Sequence, residues 1–279
     1  MSQFIVSAFA DEIDMDLKTQ MDVLDTHEMK FIEMRGVNGQ NVSDLTLEEA
    51  KEIKKQLEIR GFQVSAIGSP IGKIGIEDSF EAELDKFKHT LEIAKILDTR
   101  YIRMFSFFIP EDKNPEDYFE EVIRRWGAYI EAAVGTGMIL LHENEKNIYG
   151  DTAGRCLKLI ETLKCDFVKL TFDPANFVQV GQDTIGAYEL LKDYIAYIHI
   201  KDADQAGNVV PAGYGIGNVK VILDNLKHRG YEGFLSLEPH LGQFQGLENF
   251  ELDDRYQKLP PSGAKTFAVA AAALKKLMK

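Results

Sequence analysis

The feature that most constrains this chain is an eightfold alternation. Short β-rich runs recur from end to end: FIVSAF (4–9), KFIEMR (30–35), QVSAIG (63–68), YIRMFS (101–106), MILLHE (138–143), VKLTFD (168–173), IAYIHIKD (195–202) and GFLSLEP (233–239). Each is followed by a stretch of helical character. DLTLEEAKEIKKQLEIRG before the third run and SFEAELDKFKHTLEIAKILD before the fourth space their apolar residues at i, i+3 and i+4, and the first ends on Gly61, a helix stop signal. SGAKTFAVAAAALKKLMK closes the chain with strong helix formers and puts basic residues at its end, where the helix dipole favours them. Eight strand–helix units predict an α/β chain closed into a single-domain (β/α)8 barrel over residues 1–279. The alternative, a doubly wound open sheet, is disfavoured because no Gly-rich phosphate fingerprint follows the first run. No Pro, Gly or Ser tract divides the chain. Two longer insertions, at 203–217 and 240–262, are expected to form loops on one rim.

Composition narrows the function. With 45% hydrophobic residues the chain can bury a large core, and a net charge of −13 argues against a nucleic-acid partner, which needs a positive field. Small anionic substrates stay open, since a few local Lys or Arg residues suffice for them. Cys156 and Cys165 have no ligand spacing and are expected to flank a helix as buried free thiols of a reducing compartment. The N-terminal stretch MSQFIVSAFADEID lacks the basic start and long apolar run of a signal peptide, and no apolar run approaches membrane-spanning length. The expectation is a cytoplasmic protein with no membrane partner. Apolar faces on barrel helices make a homo-oligomer an open option, with no segment marking an interface.

The predicted strands end in ionisable groups. The fifth ends in Glu143, the sixth in Asp173, the seventh in His199 with Lys201 and Asp202, and the eighth in Glu238. In a closed barrel, neighbouring carboxyl ends converge on one mouth. Strand alternation puts Glu143 on the face of Ile139 and Leu141, sends His142 toward the helices, and groups His199 with Tyr197 and Lys201. Taken singly, each acid is a helix cap or a solvated loop residue, and Asp173-Pro174 is an ordinary turn opener. Three carboxylates and one imidazole on four successive strand ends are a different matter. Unpaired, the carboxylates would repel one another; one divalent ion, Mn²⁺, Mg²⁺, Co²⁺ or Zn²⁺, removes that penalty.

The stretches LLHEN, LTFDPAN, YIHIKD and LSLEPH resemble the xylose-isomerase-like TIM barrels, a sugar phosphate isomerase and epimerase group that also includes inosose dehydratase and the endonuclease IV fold. FIEMRG, AIGSPIGKI, RMFSFF and VPAGYGIGNV support the resemblance, which covers essentially the whole chain. It implies that Glu143, Asp173, His199 and Glu238 bind one divalent metal ion. It also implies that Glu143 and Glu238 face opposite sides of a small carbohydrate or polyol-derived substrate as the proton-transfer pair of an isomerase or epimerase. The implied chemistry is removal of a C–H proton beside a carbonyl, with the cation stabilising the enediolate. A dehydratase of the inosose type shares that first half and needs one more acid: Lys201, Lys73 or His240.

Substrate contacts are expected from Lys73, Arg103, Asn176, Lys201 and His240. Asn176 stands three residues after Asp173, where the ketose 3-epimerases of the group carry a histidine. Arg103 has an ion pair with Glu33 as its structural alternative, Glu33 is expected either to orient a ligand or only to partner Arg35, and Lys201 has a pairing with Asp202 or a neighbouring acid as its alternative. Phe105, Phe107 and Phe108 are expected to wall the pocket, and Trp126 to pack in a helix. An endonuclease would need a basic groove and further zinc-binding histidines; of six histidines, His27, His89 and His228 fall in helices or at their ends. A silent binding protein would have no use for two opposed carboxylates.

Overall fold

A computed structural model describes residues 3–247, 250 and 252–279. Eight parallel strands close into a barrel: β1 Gln3–Ala8, β2 Phe31–Met34, β3 Gln63–Ile67, β4 Tyr101–Met104, β5 Ile139–Glu143, β6 Val168–Phe172, β7 Ile195–Ile200 and β8 Glu232–Leu237. They follow one another around the ring, and β1 seals it by pairing with both β8 and β2. Every predicted strand lies where its sequence run places it. The register shifts at Ile32/Glu33 and at Leu170/Thr171. Such irregularities bend a strand and re-aim its side chains, and both sit just below residues of the mouth.

Inside the barrel the alternation separates two environments. Toward the amino ends, Ala66, Leu141 and Tyr197 pack with Ile139, Tyr101 and Phe234 into an apolar floor. Toward the carboxyl ends the inward positions become Glu33, Arg103, Glu143, His199 and Lys201, each at most 5% exposed. The outward positions of the same strands join the main core beneath the helices.

The helical shell follows local sequence rules. α1 Leu17–Thr26 starts on an Asp16 cap, and α2 Leu47–Ile59 on a reciprocal Thr46/Glu49 capping box. Gly61, at φ 70°, takes the left-handed turn that ends α2. α3 Glu81–Ile96 and α4 Phe119–Ala133 enclose Phe87, Trp126 and Tyr129, all fully buried, so Trp126 is packing as expected. α5 Ala153–Leu163 contains Cys156, which is buried, while Cys165 is half-buried beyond its end; the pair does not flank the helix. The segment after β6 forms two helices, α6 Pro174–Gln179 and α7 Thr184–Leu191. A left-handed Gly181 lies between them. α8 Val219–His228, the short α9 Asp254–Gln257 and α10 Gly263–Leu277 complete the shell. Among the described residues no helix is long and apolar enough to cross a membrane.

Two longer segments follow β7 and β8. The first opens with Asp202–Ala203 pairing antiparallel with Val209–Val210, so strand 7 stops at Ile200 rather than continuing through Asp202. The second runs through a 3-10 turn at Leu241–Gln243 and through α9. Within it, residues 248, 249 and 251 lie outside the described residues.

Candidate metal centre

The four predicted strand-end ligands meet. Glu143, Asp173, His199 and Glu238 each offer one ligand atom, and these atoms lie within 4.8 Å of one another. All four side chains are buried, at 0 to 2% exposure. Nδ1 of His199 lies 3.0 Å from Oε1 of Glu143, 3.6 Å from Oε2 of Glu238 and 3.8 Å from Oδ2 of Asp173. The other ring nitrogen, Nε2, lies 3.2 Å from Oε2 of Glu33 across the barrel. An imidazole that keeps one nitrogen toward a cluster of acids while a carboxylate holds the other has the arrangement of an oriented metal ligand.

Neighbouring groups fix the acids of the quartet in place. Asp173 caps α6 by accepting the Asn176 backbone N–H on Oδ1 at 2.9 Å. Asn144 ties the ends of β5 and β6 together, accepting the Asp173 N–H and donating to the Asp173 carbonyl, both at 2.9 Å. The Asn176 side chain donates to Oε1 of Glu143 at 3.2 Å. Oε2 of Glu143 and Oδ2 of Asp173 are buried and are held by facing cations, with no aligned hydrogen bond to either. Oε2 of Glu143 has the Arg103 guanidinium at 3.3 Å, as an ion pair only. Three buried acids and an imidazole with ligand atoms this close together are a donor set that suits a divalent ion with O and N ligands. The residues fit the implied metal.

A lysine already lies on two of these ligands. Nζ of Lys201 is 2.7 Å from Oδ2 of Asp173 and 2.8 Å from Oε2 of Glu238. Its partners are thus neighbouring acids and not Asp202. The Asp202 carboxylate instead accepts the backbone N–H groups of Gly213, Gly215 and Gly217 at 2.8 to 3.0 Å. This pins the loop 203–217 to the barrel. A Cβ at Gly215 would stand 2.3 Å from the Ala203 carbonyl oxygen, so the close approach requires glycine there.

The other half of the mouth is a charge network whose Arg103, Glu33 and Arg35 are singled out from the sequence and whose Asp11 and Glu12 are not. Arg35 contacts Asp11 at 2.7 Å, Glu12 at 2.8 Å and Oε1 of Glu238 at 3.1 Å. Arg103 donates to the carbonyls of Gly68 and Ser69 and pairs with Glu143. Glu33 therefore partners neither arginine; it faces His199. The Phe9 ring stands edge-on to His199, with the Arg35 and Arg103 guanidinium groups 4.7 and 5.1 Å from its centroid. The available signal was ADEID at 10–14, acids immediately after the first strand.

Electrostatics follow from these contacts. Burial alone would raise the Glu143 and Glu238 carboxyls, but the cations beside them prevail. His199 and Arg103 hold Glu143 at about 2, and Lys201 leads the groups that hold Glu238 well below the carboxylate range. Burial would also discharge His199 and Lys201; Glu143 and Glu33 keep the first, and Asp173 and Glu238 the second, well above their ordinary values. His142 points the other way, against Trp126 in the helical layer, and burial pushes it down to about 4.

The remaining candidates divide. Lys73 reaches Glu145 at 3.1 Å and covers the Phe105 ring. The glycine beside it, Gly72, makes room for the Phe105 backbone, since a Cβ there would meet the carbonyl oxygen at 2.2 Å. Of the three phenylalanines expected to wall the pocket, Phe107 packs on Tyr129 and Phe80 in the helical layer, Phe108 is exposed, and Phe105 is fully buried beneath Lys73 and Arg103. His240, 40% exposed, sits on the rim 3.0 Å from Glu12.

Comparison with known proteins agrees with this architecture. Residues 22–258 match the family model described as xylose isomerase-like TIM barrel, and the chain belongs to that family. No curated protein matches it by sequence. The probable 3-DHS dehydratase AsbF of petrobactin synthesis from Bacillus anthracis is 18% identical, with a TM-score of 0.73 over 100% of this chain and 99% of that one. The IOLI protein, solved with a binding zinc atom, is 17% identical, with a TM-score of 0.74 over 98% of both chains. A D-tagatose 3-epimerase-like protein is 15% identical, with a TM-score of 0.73 over 99% of this chain and 98% of that one.

Proposed function

We propose that this family member is a divalent-metal-dependent isomerase or epimerase of a small sugar or sugar-like hydroxy-carbonyl compound, with Glu143 and Glu238 as its proton-transfer pair. The observation that carries the reading is the convergence of Glu143, Asp173, His199 and Glu238 on one buried point. The zinc bound to the IOLI protein and the sugar named in the D-tagatose 3-epimerase-like protein support it from within the same fold. A divalent cation held by the four residues would polarise a carbonyl oxygen and so acidify the C–H beside it.

The chain's own residues supply the rest. Glu143 and Glu238 come from β5 and β8, with β6 and β7 between them, so they approach the centre from different sides. Both are held in the ionised form, ready to accept a proton and, once protonated, to return it. Arg103 and Asn176 act through Glu143 by fixing its two oxygens. Lys73 and His240 stand outside the quartet as substrate contacts, and the buried Phe105 ring supports Lys73 from beneath. A soluble small molecule as substrate and the free thiols of Cys156 and Cys165 fit work in the cytoplasm.

A dehydratase is the second reading, and one contact favours it. The Lys201 ammonium lies 2.8 Å from Glu238, so a positioned acid stands beside a candidate base and could protonate a departing hydroxyl. The test is deuterium uptake from D2O by a panel of ketoses, inososes and their phosphates, with protein loaded with Mn²⁺ or Zn²⁺. At least one compound should exchange, and Glu143→Gln or Glu238→Gln should slow that exchange by about 10²–10⁴. Exchange of none, or undiminished exchange in both variants, removes the reading.

A further inference from the structure

We infer that Lys201 is the resident cation of the metal-free centre, and that a divalent ion enters only by displacing its ammonium group from Asp173 and Glu238. The inference rests on the metal-dependent reading above.

The geometry points to shared atoms. Asp173 has Oδ1 tied to the Asn176 N–H at 2.9 Å, and Glu238 has Oε1 tied to Arg35 at 3.1 Å. Their second oxygens, Oδ2 and Oε2, face Nδ1 of His199 at 3.8 and 3.6 Å. Those are the atoms a dication would take together with His199. They are also the atoms on which Nζ of Lys201 lies, at 2.7 and 2.8 Å. Metal–oxygen bonds of about 2.0–2.2 Å would bring the two cations against each other in a site nearly closed to water. One of them must leave.

The lysine is the one able to move. Asp173 and Glu238 are anchored by the contacts just given, whereas Lys201 is an unbranched stem carrying a rotatable point charge. It reaches the centre because it lies two residues beyond His199 on the same inward face. While it stays, it neutralises acids that would otherwise repel one another, and so keeps the quartet assembled without metal. Once displaced, its ammonium is released from both ligand oxygens, and in the dehydratase reading it becomes available as the acid for a departing hydroxyl.

The experiment measures Mn²⁺ and Zn²⁺ affinity by calorimetry for the wild-type chain, Lys201→Met and Lys201→Gln, with thermal unfolding of metal-free and loaded forms alongside. Both variants should bind the ion about tenfold more tightly or better, because the competing closed state is gone. Their metal-free forms should melt below wild type and recover when loaded. Unchanged or weaker affinity in a folded variant would make Lys201 the metal's companion instead of its competitor, and would overturn the inference while leaving the metal reading intact. Absence of binding by wild type and variants alike would defeat both. Binding by the variants alone would mean that the ion cannot displace Lys201, and would overturn the inference. In the wild-type chain, ¹³C-labelled lysine should show one ε-carbon resonance shifting in step with metal occupancy; static lysine spectra on loading would overturn the inference even if neither variant folds.

Discussion

The half of the barrel built from β5 to β8 and the half built from β1 to β4 share one alternation of inward and outward residues, yet they bring different chemistry to the mouth. The first half presents Glu143, Asp173, His199 and Glu238, with acceptor oxygens turned to a common point. The second presents groups that saturate others: Arg35 for Asp11, Glu12 and Glu238, Arg103 for Glu143, and Glu33 for His199. The contrast teaches that a ligand set is only part of a metal centre. Acids this buried cannot stay ionised and assembled unless fixed cations offset their desolvation. The supporting half engages Glu238 through Arg35 and Glu143 through Arg103, while Asp173 is fixed from within its own half by the Asn176 N–H.

Three substitutions would break or sharpen that contrast. The largest effect is expected from Arg103→Met, which leaves Glu143 buried beside a vanished partner. Such a loss costs about 3–5 kcal/mol, to be read by urea unfolding of the metal-free protein, and added metal should restore part of it. Stability unchanged would mean that the two halves do not depend on each other. Next comes Glu33→Gln, which keeps the shape and removes the charge holding Nε2 of His199. Metal affinity should fall about 10–100-fold by calorimetry, and full affinity would show that Glu33 does not orient the ligand. The smallest is Thr46→Ala, a control outside both halves. Loss of the α2 capping box should cost about 1 kcal/mol with metal affinity unaltered, whereas a change in affinity would mean that the centre responds to general loosening of the shell.

The two halves also differ in how far the sequence reveals them. Strand positions were legible because β-branched and apolar runs bounded by helical periodicity leave few alternatives. The quartet was legible because all four members sit at the carboxyl ends of consecutive strands, where backbone parity alone decides that they meet. Pairings across the barrel were not. Glu33 meets His199 although β1 and β8 lie between their strands, and no local pattern encodes such a contact. Lys201 could have bonded Asp202 next door; strand stagger gives it Asp173 and Glu238 instead. For Asp202 there was a readable signal. Glycines at 213, 215 and 217 alternate because alternate N–H groups converge on one carboxylate. The division of the segment after β6 into α6 and α7 likewise turns on one left-handed residue, Gly181.

The central claim is that four strand ends hold one divalent ion. Its most direct test is the metal content per chain after loading with Mn²⁺ or Zn²⁺ and removal of excess, for the wild-type protein and for Asp173→Asn. We expect one tightly held ion in the first and its loss in the second. No retained ion under either loading, or the same ion kept by Asp173→Asn, would contradict the claim and reduce the quartet to a structural cluster of charges.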